Sequence, residues 1–138
     1  MTDTTAAKTE TLTPDEQQVK ARRILQDYLE SRGWAEATPF GYSCEYGEAD
    51  YVCRDPESDE VVLISLDYTF DLDAEPHAMP TLEIDELDRE NAKCTALSYV
   101  ARHPGTTSVR FDKVALLVWG ECQGTIRHLV GLYSACDL

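Results

Sequence analysis

The order of apolar patterns along this sequence predicts an α/β fold in which helices flank a mixed β-sheet. Three observations lead there. A capped amphipathic stretch opens the patterned part of the chain, three β-rich runs follow with short turns between them, and a second helical stretch precedes two more β-rich runs. Sequential strands joined by short turns pair antiparallel, whereas a strand reached through a helical crossover pairs parallel. The order α-β-β-β-α-β-β therefore gives a sheet of both kinds with helices on its faces.

The first helix is expected over TPDEQQVKARRILQDYLESRG. Thr13 is its N-cap, Pro14 occupies the first helical position and Glu16 completes a capping box, while Gly33 stops it. Ala21, Ile24, Leu25, Tyr28 and Leu29 form one apolar stripe at helical spacing, and Trp34 packs just beyond. Strands are expected over Thr38 to Cys44 and Tyr46 to Arg54, meeting near Glu45 to Gly47. The turn Asp55 to Asp59 then leads into the strand Val61 to Leu66. After the polar, proline-punctuated DLDAEPHAMP, the spacing of Leu87, Cys94, Leu97 and Ala101 predicts a second helix from Ile84 to Arg102, ended by HPG. Val109 to Trp119 is an almost continuous apolar run, as expected of a strand covered on both faces, and a last strand follows from Thr125 to Tyr133. Residues 1–13 read as a frayed tail and 14–138 as a single domain.

The 138 residues are 43% hydrophobic, enough for one ordinary core. The first residues contain no apolar core of a signal peptide and no stretch approaches membrane-spanning length, so a cytoplasmic location is expected. Cys44, Cys53, Cys94, Cys122 and Cys136 form no C-x-x-C pair, and buried reduced thiols are expected. Charge is more informative. Of the net charge of −14, all arises between Glu45 and Glu90, which hold 16 acidic residues against the two basic residues Arg54 and Arg89. Such a centre disfavours nucleic acid, whose binding rests on Lys and Arg neutralising phosphates.

Two pairs of polar residues interrupt the β-rich runs at strand period. Glu48 and Asp50 alternate in GEADYVCRD, and Ser65 and Asp67 alternate in EVVLISLDY, so each pair is expected on one face. That pattern could hold a divalent metal. A solvated acidic surface would look the same.

Taken with the helix ending YLESRGW and the late RFDKVALLV, these stretches resemble the YraN-type family of small bacterial proteins, which has a restriction-endonuclease-like fold. The resemblance runs from about Ala21 to Val118. It implies that Asp50 stands at the family's metal-binding aspartate with Glu48 beside it, that Ser65 replaces the second metal carboxylate, and that Asp67 replaces the lysine. In such nucleases the carboxylates hold Mg²⁺ and the lysine positions water and offsets phosphate charge. A hydroxyl is a weaker ligand and a carboxylate reverses the charge, so both replacements oppose cleavage. Arg22 stands where the family's first helix offers a glutamate, and Gly41 and Ser43 replace polar residues around Tyr42.

Other patterns are weaker. His77, His103 and His128 have no metal-ligand spacing, so a helix-cap or surface role is expected for each. Ser65 and Ser134 lie in no nucleophile elbow, and no phosphate-binding glycine loop is present. Tyr42, Tyr46, Tyr51 and Tyr68 read as core or rim packing around the site. Two functions follow. In the first, the chain is a catalytically degenerate relative that binds a basic protein partner through its acidic surface. In the second, it is an active Mg²⁺- or Mn²⁺-dependent nuclease using Glu48, Asp50 and Asp67, with a positive charge from Lys20, Lys93 or Lys113. Homodimerisation through an exposed strand edge is a third expectation.

Overall fold

The computed structural model describes residues 12–36, 41–75, 78–119 and 123–138. Residues 1–11 of the expected tail, the start of the first strand at Thr38, His77 and Cys122 lie outside them.

Helix α1 (Pro14–Ser31) forms where local chemistry predicts it. Thr13 Oγ1 accepts the Glu16 N–H at 3.2 Å, and Glu16 Oε1 accepts the Thr13 N–H at 3.3 Å. At the other end Gly33 adopts φ 77°, and its N–H and that of Trp34 return to the carbonyls of Glu30 and Leu29. This is a Schellman closure, which a side chain at the left-handed position would strain. Ala21, Leu25 and Leu29 are buried as the stripe requires.

The chain then gives β1 (Ala35–Glu36), β2 (Tyr42–Cys44), β3 (Gly47–Ala49), β4 (Tyr51–Arg54) and β5 (Val61–Phe70). Helix α2 (Glu86–Arg102) crosses over to β6 (Ser108–Val118), and β7 (Gly124–Cys136) ends the fold. The five-stranded sheet runs β1-β4-β5-β6-β7, with β5 and β6 parallel and every other pair antiparallel. This is the mixed α/β sheet expected. Strands β2 and β3 form a separate hairpin.

The expected strand Tyr46 to Arg54 is therefore two strands. It breaks at Asp50, whose N–H bonds the Ile64 carbonyl at 2.7 Å while Gly47 to Ala49 peel away to pair with β2. Gly41 permits the departure, because a Cβ there would overlap the Ala49 carbonyl and crowd Asp50.

One core lies on the α1 face of the sheet and includes Leu25, Val62, Ile64, Val114 and Leu116. The other lies under α2 and includes Val52, Leu63, Val109 and Phe111. The α2 capping box, Asp85 with Asp88, is formed, but the face that packs is not the one expected. Ala92, Thr95, Ala96 and Tyr99 are buried, whereas Leu87 is 66% exposed and Leu97 38%. The small residues let the helix approach the sheet closely, and that packing outweighs burying the larger leucines.

Candidate functional site

Asp50 sits at the break between β3 and β4, where the sheet ladder loses its partner. Its Oδ2 accepts the Leu66 N–H at 2.7 Å, so the carboxylate gives this β5 donor the acceptor that the departing strand no longer supplies. Its Oδ1 lies 3.5 Å from the Arg22 guanidinium, which also donates to the Asp50 carbonyl at 3.1 Å. Arg22 is fixed in turn. Its Cζ stands 4.5 Å from the centre of the Tyr51 ring, and the Tyr51 hydroxyl donates to the Arg22 carbonyl.

Burial pushes the Asp50 carboxyl above the ordinary aspartate range; the Leu66 N–H and Arg22 pull it down without prevailing, and the charges of Glu48 and Asp67 add to the rise. Glu48 and Asp67 are thus each near enough to repel Asp50. A carboxyl with a raised value favours folding most in its protonated form, and that contribution is lost as pH rises from 3.8 through the raised value. Asp50→Asn keeps an acceptor for Leu66 without the buried charge. We expect it to change stability at pH 7 by less than about 1 kcal/mol, whereas Asp50→Ala should cost about 1–3 kcal/mol by leaving that N–H unpaired. Urea unfolding of the two variants makes the comparison; equal losses would contradict it.

Glu48 lies on the hairpin between two hollows. One, of about 330 Å³, is lined by Gln18, Arg22, Gly41, Tyr42, Ser43 and Asp50. The other, of about 130 Å³, runs under α2 and includes Tyr46, Ser65, Asp88, Asn91, Phe111 and Lys113. Ser65 and Lys113 are direct partners across the parallel pair β5–β6. Lys113 Nζ reaches Asp67 Oδ2 at 3.0 Å, so Asp67 is already partnered by a lysine from the next strand. Of the three lysines considered for this role, Lys113 is the one that lines the cleft.

As arranged, these residues do not fit a divalent ion. Asp50 is engaged on both oxygens, one of them by a cation, and among the described residues no group of three or more His, Cys, Asp or Glu side chains is disposed to hold a metal.

The more extensive polar site is one that sequence reasoning missed. Asp112, 0% exposed, accepts from Arg110 Nε at 2.8 Å and from the second Arg110 nitrogen at 3.0 Å. It also accepts the Gly131 N–H at 2.9 Å and lies 2.8 Å from His128 Nε2. Arg110 continues to Asp55 at 3.0 Å and Glu60 at 3.4 Å, and His128 Nδ1 meets the Tyr28 hydroxyl at 2.9 Å. The irregular pairing of β6 with β7 between Phe111 and Lys113, with Gly131 at φ 75°, is what delivers the Gly131 N–H. Desolvation raises the Asp112 value, but the bonds from His128, Arg110 and Gly131 outweigh it and hold the carboxyl below the usual aspartate range. His128 is accordingly corrected from a surface role to a buried bridge. His103 does end α2, with Nδ1 at 2.9 Å from the Tyr99 carbonyl and its ring stacked on Tyr99 at 3.9 Å.

The remaining expectations divide. Tyr51 is buried, Tyr42 packs edge-on against Tyr99 at 5.3 Å and bonds Ser98 at 2.6 Å, and Tyr68 packs on Phe70. Tyr46 is exposed at the cleft mouth. Among the described cysteines Cys53 is buried, but Cys44 and Cys94 are half-buried and Cys136 is exposed, because Cys44 and Cys94 sit on the hairpin–helix seam and Cys136 on an edge strand. Among the described residues no helix is long and apolar enough to cross a membrane. No family model matches the chain, and a search of curated proteins finds no match.

Proposed function

We propose that this chain is a catalytically degenerate, restriction-endonuclease-like protein of the YraN type that docks a basic protein segment on its acidic face. One observation supports this above the others: the carboxylate at the expected metal position, Asp50, is satisfied from within the chain by Arg22 and the Leu66 N–H. A side chain so held is a structural link between α1 and the sheet. The residues around it supply the negative surface, with Glu48 and Asp67 exposed.

An active Mg²⁺- or Mn²⁺-dependent endonuclease is the second reading. The place of Lys113, beside Ser65 and paired with Asp67, favours it.

The binding reading is tested with a fluorescent decalysine peptide and with labelled single-stranded and duplex DNA and RNA. Decalysine should bind, lose affinity as salt rises from about 0.05 to 0.2 M, and bind less well to the Glu48→Gln, Asp67→Asn double variant. Tight binding of DNA or RNA without binding of decalysine would contradict it.

A further inference from the structure

Among the described residues, four cations of this acidic chain make ion pairs. Arg22 meets Asp50, Arg54 meets Asp59, Arg110 meets Asp55, Glu60 and Asp112, and Lys113 meets Asp67. Among those residues Lys20, Arg23 and Lys93 make none, and neither do Arg89 and Arg127. The last two are exposed, and among the described residues neither side chain has a hydrogen-bond, ion-pair or ring partner. Both nevertheless line the same hollow.

That hollow has a volume of about 480 Å³ and is lined by Leu82, Ile84, Arg89, Arg127, His128 and Leu129. Its size falls within the range of small-molecule sites. Its construction follows from the fold. Leu82 and Ile84 precede α2, Arg89 lies in the helix's first turns, and Arg127 and Leu129 are alternate residues of β7. Arg127 pairs across the sheet with Ala115, whose small side chain leaves space beside the guanidinium stem. The His128 side chain turns to the opposite face of β7, where its ring nitrogens meet Asp112 and Tyr28, so it gives the hollow no donor.

We propose that this hollow binds a small organic carboxylate with an apolar body, the carboxylate on Arg89 and Arg127 and the body against Leu82, Ile84 and Leu129. Two guanidinium groups beside one cavity repel each other until an anion lies between them, and their planar forks match a carboxylate. The three aliphatic side chains supply what an inorganic anion would leave uncovered. The net charge of −14 repels polyanions over distances at which a single carboxylate is scarcely affected, which selects a small monoanion over nucleic acid. The site is distinct from the Asp50 cleft and does not depend on the function assigned to that cleft.

Octanoate is the probe, with octanamide as its uncharged counterpart, measured by calorimetric titration of the full chain. Octanoate should bind saturably at one site, and at least about tenfold more tightly than octanamide. The Arg89→Met, Arg127→Met double variant should lose at least about tenfold in octanoate affinity with its urea midpoint unchanged, since both side chains are exposed. A double lysine variant, which keeps the charge, should retain part of the affinity. Octanoate binding that equals that of octanamide, survives in the double methionine variant, or is absent from the parent protein would overturn the proposal.

Discussion

Arg110→Met is expected to destabilise the fold by about 3–5 kcal/mol, read as a shift of the urea midpoint at pH 7, because it leaves a wholly buried carboxylate without its cation. Asp112 would keep only the Gly131 N–H and His128, while Asp55 and Glu60 would face each other across the lost guanidinium. The same network makes the parent protein sensitive to acid. Asp112 and Asp55 are both held below the ordinary aspartate value of 3.8, so their contribution is present in full above it and is lost as pH falls through the depressed values. Arg110→Met should flatten that acid limb as well as lower overall stability. A loss below about 1 kcal/mol with an unchanged acid limb would show that the network is not what holds β6 to β7 and the Asp55 turn.

The second large effect concerns metal affinity. In the parent chain the Arg22 cation lies against Asp50 Oδ1, and Ser65 supplies a hydroxyl where the resemblance places a carboxylate. The Ser65→Glu, Arg22→Ala double variant removes the cation and adds the acid. It should gain a divalent site of about millimolar affinity, so that about 10 mM Mn²⁺ raises its unfolding free energy by about 1.4 kcal/mol over sodium chloride of equal ionic strength. The parent should gain almost nothing. Equal stabilisation of both proteins, or none in the variant, would mean that Asp50 and position 65 do not form the geometry the resemblance implies.

What could be read from the sequence follows the range of the forces involved. Helix α1 was legible because its determinants are local: Thr13 with Glu16, the stripe, and Gly33. Helix α2 was legible as a helix, but its buried face was not, since small residues were chosen to fit a sheet whose shape no local pattern records. The break at Asp50 depends on competition between β2 and β5 for the same segment, which periodicity treats as one strand. The Arg110–Asp112–His128 network depends on the irregular β6–β7 pairing and on residues distant in sequence. A signal was nonetheless present: two opposite charges at alternate positions of VRFDKVALLV, a run otherwise suited to burial on both faces, require each other inside the core. At the candidate site, the alternation of Glu48 with Asp50 is interrupted by the strand break at Asp50, and the partners that occupy Asp50 and Asp67 come from other elements, so neither was legible.

The most direct test of the central claim is cleavage of end-labelled single-stranded, duplex and branched DNA, and of RNA, by the purified protein with Mg²⁺ or Mn²⁺, beside an EDTA control and Asp50→Ala. With Asp50 serving as a structural link to Arg22 and Leu66, no substrate should be cleaved by the folded protein above the EDTA control. Metal-dependent cleavage that disappears in Asp50→Ala, while the decoupled variant Asp50→Asn remains folded and inactive, would contradict the degenerate-site account and establish Asp50 as a catalytic carboxylate.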